Sequence, residues 1–131
     1  MIKFTVKVAP VSKKNSQQIF RPNGMNRPMI VPSKKYKDYE EAAMWYIPHK
    51  GLKIDYPCNV KCVFYMPTRR KVDKTNLEEA IHDIMVKAGL LADDNRDIIA
   101  GSDGTRVYYD KKNPRTEIEI TPMEDYEQWG K

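Results

Sequence analysis

One amphipathic segment near the middle of the chain constrains the fold more than any other. Between residues 76 and 88 the apolar side chains recur at helical spacing and form one stripe, made by Leu77, Ala80, Ile81, Ile84, Met85 and Ala88. Gly89 follows the stripe, at a position where helices commonly end. A helix with one apolar stripe buries it against another layer of the fold, so the segment predicts a helix packed on a sheet or a second helix.

Alternation of apolar and polar residues predicts strands at both ends of the chain and in its middle. At the N-terminus the apolar set, which ends before Pro10, is Ile2, Phe4, Val6 and Val8. Residues 59–66 form a second strand with one face made of Val60, Cys62, Phe64 and Met66. Residues 97–99 begin a short extended segment, and residues 105–109 and 116–121 are two strands joined by a turn at 111–114.

A further helix is predicted after Pro32. Ser33 is a good N-cap, and the side chains that follow at helical spacing are Tyr36, Tyr39, Ala43 and Tyr46, before Pro48 and Gly51. We therefore expect a single α+β domain over residues 1–131, in which a small mixed sheet of about four strands packs with two main helices. Residues 123–131 show no period and are expected to form a tail.

Residues 11–32 are predicted to form a long, basic and flexible loop. The segment contains three prolines, one glycine and several amide side chains, and it has no sustained period. A loop of this length in a small domain is either functional or disordered. Lys13, Lys14 and Asn15 are candidate contacts to phosphate, and plain disorder is the alternative.

Composition excludes several classes of protein. Two cysteines, Cys58 and Cys62, and two histidines, His49 and His82, give neither a disulfide framework nor a zinc-site spacing. We interpret both cysteines as packing residues. No apolar run approaches the roughly 20 residues of a membrane span, and the N-terminus alternates where a signal peptide is continuously apolar. The expectation is a soluble, cytoplasmic protein.

The charge of the chain changes sign near its middle. The net charge is +5, but residues 1–72 contain 15 basic and 4 acidic residues, and residues 73–131 contain 8 basic and 14 acidic ones. The first part is therefore +11 and the second −6. Such asymmetry indicates a polyanionic partner for the first part, although a solvated lysine-rich surface is an equal alternative.

Acidic residues flank the central helix. Asp73 precedes it, and Asp93 and Asp94 follow it. The helix is about 20 Å long, so the two groups meet only if the chain folds back along it. Carboxylate oxygens are the ligands that Mg²⁺ prefers, and one or two of them plus a substrate phosphate hold this ion. The alternative is a solvated acidic helix face followed by an Asp-Asp turn.

The motif around this helix resembles a known family. Arg69-Arg70-Lys71-Val72-Asp73-Lys74-Thr75-Asn76-Leu77-Glu78-Glu79-Ala80-Ile81-His82-Asp83, then Lys87-Ala88-Gly89 and Asp93-Asp94, is similar to the signature of the RusA family of Holliday-junction resolvases. The resemblance is close over residues 69–94 and looser elsewhere, including Lys13-Lys14-Asn15. A phage or prophage origin is implied.

The resemblance implies roles for individual residues. Asp73 and Asp94 match catalytic aspartates, with Asp93 beside the second, and Asn76, Leu77 and Asp83 match as well. Thr75 stands where the family has a metal-binding aspartate, and Glu79 stands where it has a catalytic lysine. Either Glu79 supplies the carboxylate that Thr75 lacks, or the site is impaired. Thr75 has the further alternative of a helix cap.

A member of this family is expected to be an Mg²⁺-dependent endodeoxyribonuclease, with Mn²⁺ as a substitute, that resolves branched DNA as a homodimer in recombination and repair. It needs neither a membrane nor a small-molecule cofactor. The expected metal ligands are Asp73, Asp94, Asp93 and Glu79, supported by Thr75, Asn76 and Asp83. The expected DNA contacts are Lys13, Lys14, Asn15, Arg69, Arg70, Lys71 and Lys74. Lys71, Lys74 and Lys87 are candidates for the missing catalytic cation.

Two other hypotheses remain beside this one. The first is a branched-DNA-binding protein of the same family that cuts weakly, because Thr75 and Glu79 depart from its pattern. The second is an interaction protein with no role on DNA.

Overall fold

The computed structural model describes residues 1–12, 17–20 and 29–123. The two helices are α1 (Lys34–Met44) and α2 (Lys74–Lys87). The strands are β1 (Ile2–Val6), β2 (Gln17–Phe20), β3 (Met29–Pro32), β4 (Cys58–Met66), β5 (Ile99–Gly101), β6 (Arg106–Tyr109) and β7 (Arg115–Pro122). No helix in the described ranges is long and apolar enough to cross a membrane.

Strand β4 is the centre of a five-stranded mixed sheet. On one edge β4 pairs antiparallel with β7, which pairs antiparallel with β1. On its other edge β4 pairs in parallel with β5 through residues 58–59 and with β6 through residues 63–66. The predicted α+β class, with a mixed sheet and two helices, is confirmed, but this sheet has five strands rather than about four.

Side chains bridge the gap between β5 and β6 on the edge of β4. The backbone N–H of Cys62 donates to Oγ1 of Thr105 at 3.1 Å. The side chain of Asn59 donates to the carbonyl of Asp103 at 3.1 Å and accepts from its N–H at 2.8 Å. Because a buried backbone N–H without a partner is costly, these contacts let β4 run unbroken past the gap between its two neighbours.

Both helices cover one face of this sheet. The core is one contiguous cluster in which Val60, Cys62 and Phe64 of β4 are fully buried, together with the predicted stripe of α2: Leu77, Ala80, Ile81, Ile84 and Met85. Cys58 and Cys62 are buried free thiols, as the packing interpretation predicts. Burial raises the pKa of the Cys62 thiol, which keeps it protonated and unreactive.

Two helix starts follow from short polar side chains. Oγ of Ser33 accepts from the backbone N–H of Tyr36 at 3.2 Å, so the predicted cap of α1 is confirmed. Helix α2 begins at Lys74, two residues before the predicted start, because Asp73 is its N-cap. The alternative in which Thr75 caps α2 is therefore wrong.

The prediction that residues 11–32 form a loop throughout is wrong. Gln17–Phe20 and Met29–Pro32 form an antiparallel pair within the segment expected to be a loop, and such short strands without alternation leave no period-two signal. The rest of that loop, residues 13–16 and 21–28, and most of the predicted tail, residues 124–131, lie outside the described residues. The last two predicted strands are confirmed as β6 and β7, and in the sheet β4 lies between them.

Main-chain hydrogen bonds anchor the chain that leaves α2. The carbonyl of Gly89 accepts from the N–H groups of Gly51 and Lys53 at 3.0 and 2.8 Å. The N–H of Ile54 donates to the carbonyl of Leu90, and the N–H of Ala92 donates to the carbonyl of Ile54, both at 2.9 Å. The start of the acidic turn after α2 is thereby fixed to the segment before β4.

We expect Gly89→Ala to destabilise the protein more than Gly51→Ala. Both glycines have positive φ, 80° and 92°, which costs a side-chain-bearing residue roughly 1–2 kcal/mol. A Cβ at Gly89 would also lie 2.9 Å from the backbone N of Gly51, whereas a Cβ at Gly51 meets nothing within 4 Å. Urea unfolding of both variants measures the difference, and equal losses would contradict the close contact.

Candidate active site

Asp73 is held in place by the helix that it caps. Its Oδ1 accepts a hydrogen bond from the backbone N–H of Thr75 at 2.9 Å. This bond orients the carboxylate at the N-terminus of α2, where the helix dipole favours a negative charge. Asp73 and Thr75 are both exposed. The cap uses Oδ1, so Oδ2 is left to face a ligand.

The two aspartates after α2 have different parts in one turn. Oδ1 of Asp93 accepts from the backbone N–H of Asp94 at 2.7 Å, and its Oδ2 accepts from the side-chain amide of Asn95 at 3.3 Å. Asp93 therefore spends both oxygens on shaping the turn. Asp94 is exposed, and its carboxylate is the one that this turn presents outward.

The chain after α2 does fold back along the helix, and the charges that act on His82 show this. Burial lowers the pKa of His82, and the charges of Glu78, Asp94 and Glu79 oppose this shift, in that order. Asp94 therefore lies close enough to His82, in the second half of α2, for its charge to act there. Nε2 of His82 is buried and has no hydrogen-bond partner among the described residues. The fold-back therefore reaches His82, and no contact among the described residues extends it to Asp73.

Glu78 is an acidic residue of this region that the sequence did not single out. It forms an ion pair with Lys74 at 3.0 Å, and its side chain is only 14% exposed, against 50% for Lys74. The two residues are four apart on α2, the usual spacing of helical ion pairs. Lys74 was predicted to contact DNA and to be a candidate cation, but its charge is already paired. The sequence signal that could have identified Glu78 is its position four residues after Lys74.

Lys87 joins the two helices, and Asp83 pairs with it from within α2. Nζ of Lys87 lies 2.9 Å from a carboxylate oxygen of Glu40 on α1 and 3.4 Å from one of Asp83. These carboxylates raise the pKa of Lys87, with the hydrogen bond to Glu40 as the largest cause. Lys87 is therefore a poor candidate for the missing cation, while the predicted support by Asp83 is directed towards α1.

The acidic residues do not form a closed cage. Within residues 1–12, 17–20 and 29–123, no three Asp, Glu, His or Cys side chains are grouped so that they could hold a metal ion. Mg²⁺ commonly takes one or two carboxylates and completes its shell with water and substrate phosphate. The exposed carboxylates of Asp73 and Asp94 are hard oxygen donors of the kind that such an ion takes, and they do not make a site of protein ligands alone. Asn76 is half-buried beside Asp73, and Glu79 is exposed one turn along α2.

A basic cluster leads into Asp73. Arg69, Arg70 and Lys71 are exposed on the loop between β4 and α2. No described carboxylate forms an ion pair with any of the three, so their charges are open to an anion. Lys13, Lys14 and Asn15, the other predicted contacts, lie outside the described residues.

The family model described as "Endodeoxyribonuclease RusA" matches residues 7–121 of this chain, which include the capped Asp73, the turn with Asp94 and the basic cluster. The chain belongs to the RusA family. A protein of Aquifex aeolicus (strain VF5), named "Crossover junction endodeoxyribonuclease RusA", is 33% identical over 88 residues. The match covers 66% of this chain and 66% of that protein, so the chain spans about two thirds of its relative's length. The prediction of a RusA-family chain, and hence of a family of endonucleases, is confirmed.

We expect two substitutions of Asp73 to distinguish the contribution of its charge from that of its helix cap. Asp73→Ala removes the cap and lowers the free energy of unfolding by about 1 kcal/mol, whereas Asp73→Asn keeps an oxygen acceptor and costs less than about 0.5 kcal/mol. Urea unfolding checks both values. Thr75→Ala is the matched control, because it keeps the backbone N–H that Asp73 binds. An Asp73→Ala variant as stable as the wild type would contradict the capping role.

Proposed function

We propose that this protein is an Mg²⁺-dependent, structure-specific endodeoxyribonuclease that resolves Holliday junctions or related branched DNA in recombination and repair. The observation that carries the proposal is the family match over the whole acidic and basic region. The fold supports it, because the chain after α2 returns towards the helix and brings Asp94 near His82. An interaction protein without a role on DNA has no comparable support.

The basic cluster would hold the DNA backbone. Arg69 and Arg70 present guanidinium groups, which pair with phosphate oxygens in bidentate fashion, and Lys71 adds a third charge one residue closer to α2. Because Asp73 follows within two residues of Lys71, a phosphate on this cluster lies beside the carboxylate that the cap has oriented. Binding of this kind weakens steeply as salt rises.

Asp73 and Asp94 are the residues that would hold a divalent ion, with Asp93 and Glu79 as further candidates. Bound there, Mg²⁺ would lower the pKa of an attacking water and neutralise the charge that develops on the phosphate. Mn²⁺ is expected to substitute for it. Asp73 contributes orientation, since its rotamer is set by Thr75 N–H before any ligand arrives. Asp94 contributes a charge whose position is set by the Asp93 turn.

A homodimer suits the proposed substrate. A four-way junction has two-fold symmetry, and resolving it requires two matched cuts, so two copies related by a two-fold axis would present one site to each strand. The partners proposed for the chain are therefore branched DNA and a second copy of itself, without a small-molecule cofactor.

A labelled four-way junction incubated with Mg²⁺ tests the proposal. We expect paired cuts by the wild type and a loss of about 10²- to 10³-fold in rate for Asp73→Asn, which keeps the helix cap and removes the charge. Asp38→Asn is the matched control, since Asp38 is exposed on α1, where it pairs with Lys34. Tight junction binding with no cutting in Mg²⁺ or Mn²⁺ would overturn the endonuclease activity.

A second candidate function is binding of branched DNA with weak cutting. It is favoured by two observations: position 75 carries no carboxylate, and the described acidic residues form no group of three around an ion. In this case the protein would hold the junction through Arg69, Arg70 and Lys71 and leave cleavage slow.

The double variant Thr75→Asp with Glu79→Lys discriminates between the two functions. If the natural site is impaired, the variant gains cutting over a wild type that has almost none. If Glu79 completes an active site, the variant loses cutting from an active start. Junction binding in the absence of metal is the control, and an equal change in binding and cutting would indicate a general effect of the new charges instead.

A further inference from the structure

A small cavity lies where the end of β6 meets the loop that carries the basic cluster. Its volume is about 220 Å³, and its lining includes Arg69, Arg70, Val72, Tyr108 and Tyr109. The side chain of Tyr109 is 40% exposed, whereas the ring of Tyr108, the residue before it, packs against that of Tyr65 at 5.7 Å. The cavity therefore combines aromatic surface with two positive charges.

The guanidinium of Arg69 stands over the ring of Tyr109, with its central carbon 4.5 Å from the ring centroid. A second pair of the same kind, Arg115 over Tyr65 at 3.7 Å, is the internal comparison. Arg115 is bound by Asp110 at 2.9 Å and by Glu117 at 3.0 Å, so its charge is satisfied within the fold. Arg69 has no such carboxylate among the described residues. The Arg115–Tyr65 pair is therefore structural, whereas the guanidinium of Arg69 can still bind an anion.

The register of the sheet places Tyr109 on the same side as α2. Tyr109 lies opposite Met66 of β4, two positions along from the buried Phe64, whose face the helices cover. Val72, which lines the cavity, is followed directly by Asp73. A ligand in the cavity therefore lies on the helix side of the sheet and next to the residue that starts the proposed active site.

We infer that this cavity receives a single unstacked nucleotide of the bound DNA strand, with its base on the part of the Tyr109 ring that Arg69 does not cover and its phosphate on Arg69 and Arg70. Aromatic side chains stack on any base, and guanidinium groups bind phosphate, so the two features together match a nucleotide better than either a peptide or a free anion. Continuous stacking is interrupted at the branch point of a junction, where extruding a base costs less than it does within an unbroken duplex. The inference rests on the proposed function and states how the protein binds the junction.

A junction that carries 2-aminopurine at its branch point tests the inference without cleavage, because the experiment is run in EDTA. Stacking quenches 2-aminopurine fluorescence, so binding of the wild type should quench the signal of the base that enters the cavity. Tyr109→Ala should abolish that component and weaken binding by roughly 5- to 150-fold, whereas Tyr109→Phe, which keeps the ring, should stay within about twofold of the wild type. Tyr56→Ala is the matched control, since Tyr56 is 46% exposed and lies away from the cavity.

Each outcome separates this inference from the proposed function. If Tyr109→Ala binds and quenches like the wild type, the cavity does not hold a base, and the nuclease proposal stands unaffected. If the wild type binds no junction at all, a single-stranded oligonucleotide with one 2-aminopurine repeats the test: quenching that depends on Tyr109 still supports the cavity, and its absence overturns it. A Tyr109→Ala variant that melts several degrees lower than Tyr109→Phe is replaced by Tyr109→Leu, which keeps apolar bulk and lacks the ring.

Discussion

The packing of α2 against the face of β4 is the contact on which the rest of this structure depends. β4 is bonded on both edges, and its inward residues Val60, Cys62 and Phe64 are fully buried, as is the stripe of α2. The chain passes from β4 to α2 through the basic loop, and from α2 to β5 through the acidic turn. The packing of α2 on the sheet therefore holds both charged segments on the same part of the protein. The change of charge at Asp73 is therefore the boundary between the loop and the helix.

Local signals in the sequence were enough to predict the helices and strands that make this contact. The stripe of α2, the cap at Ser33 and the apolar face of β4 are periodic or capping patterns, and each is present in the structure with shifts of one or two residues. Asp73 shows why such boundaries move. A residue read for its metal chemistry is at the same time a good N-cap, so the helix begins immediately after it.

Long-range arrangements were not readable in the same way. The sequence between β6 and β7 predicts a turn but not that β4 lies between them, because strand pairing is decided by the whole sheet. The antiparallel pair of β2 and β3 is too short to alternate. In the site, the ion pairs of Lys74 and Lys87 and the stacking of Arg69 on Tyr109 depend on the placement of neighbours, so a count of charges treated these cations as equal.

The anchoring of residues 89–92 has a consequence for how this family member can vary. The contacts that hold this stretch to residues 51–54 are made between main-chain N–H and C=O groups, and every residue type except proline supplies them. Two side chains of this stretch, Leu90 and Leu91, are also buried in the core, so packing holds it as well as its backbone. Variation at the start of the acidic turn is therefore confined to Ala92, the exposed residue of the four, since position 89 requires glycine and positions 90 and 91 require buried apolar side chains.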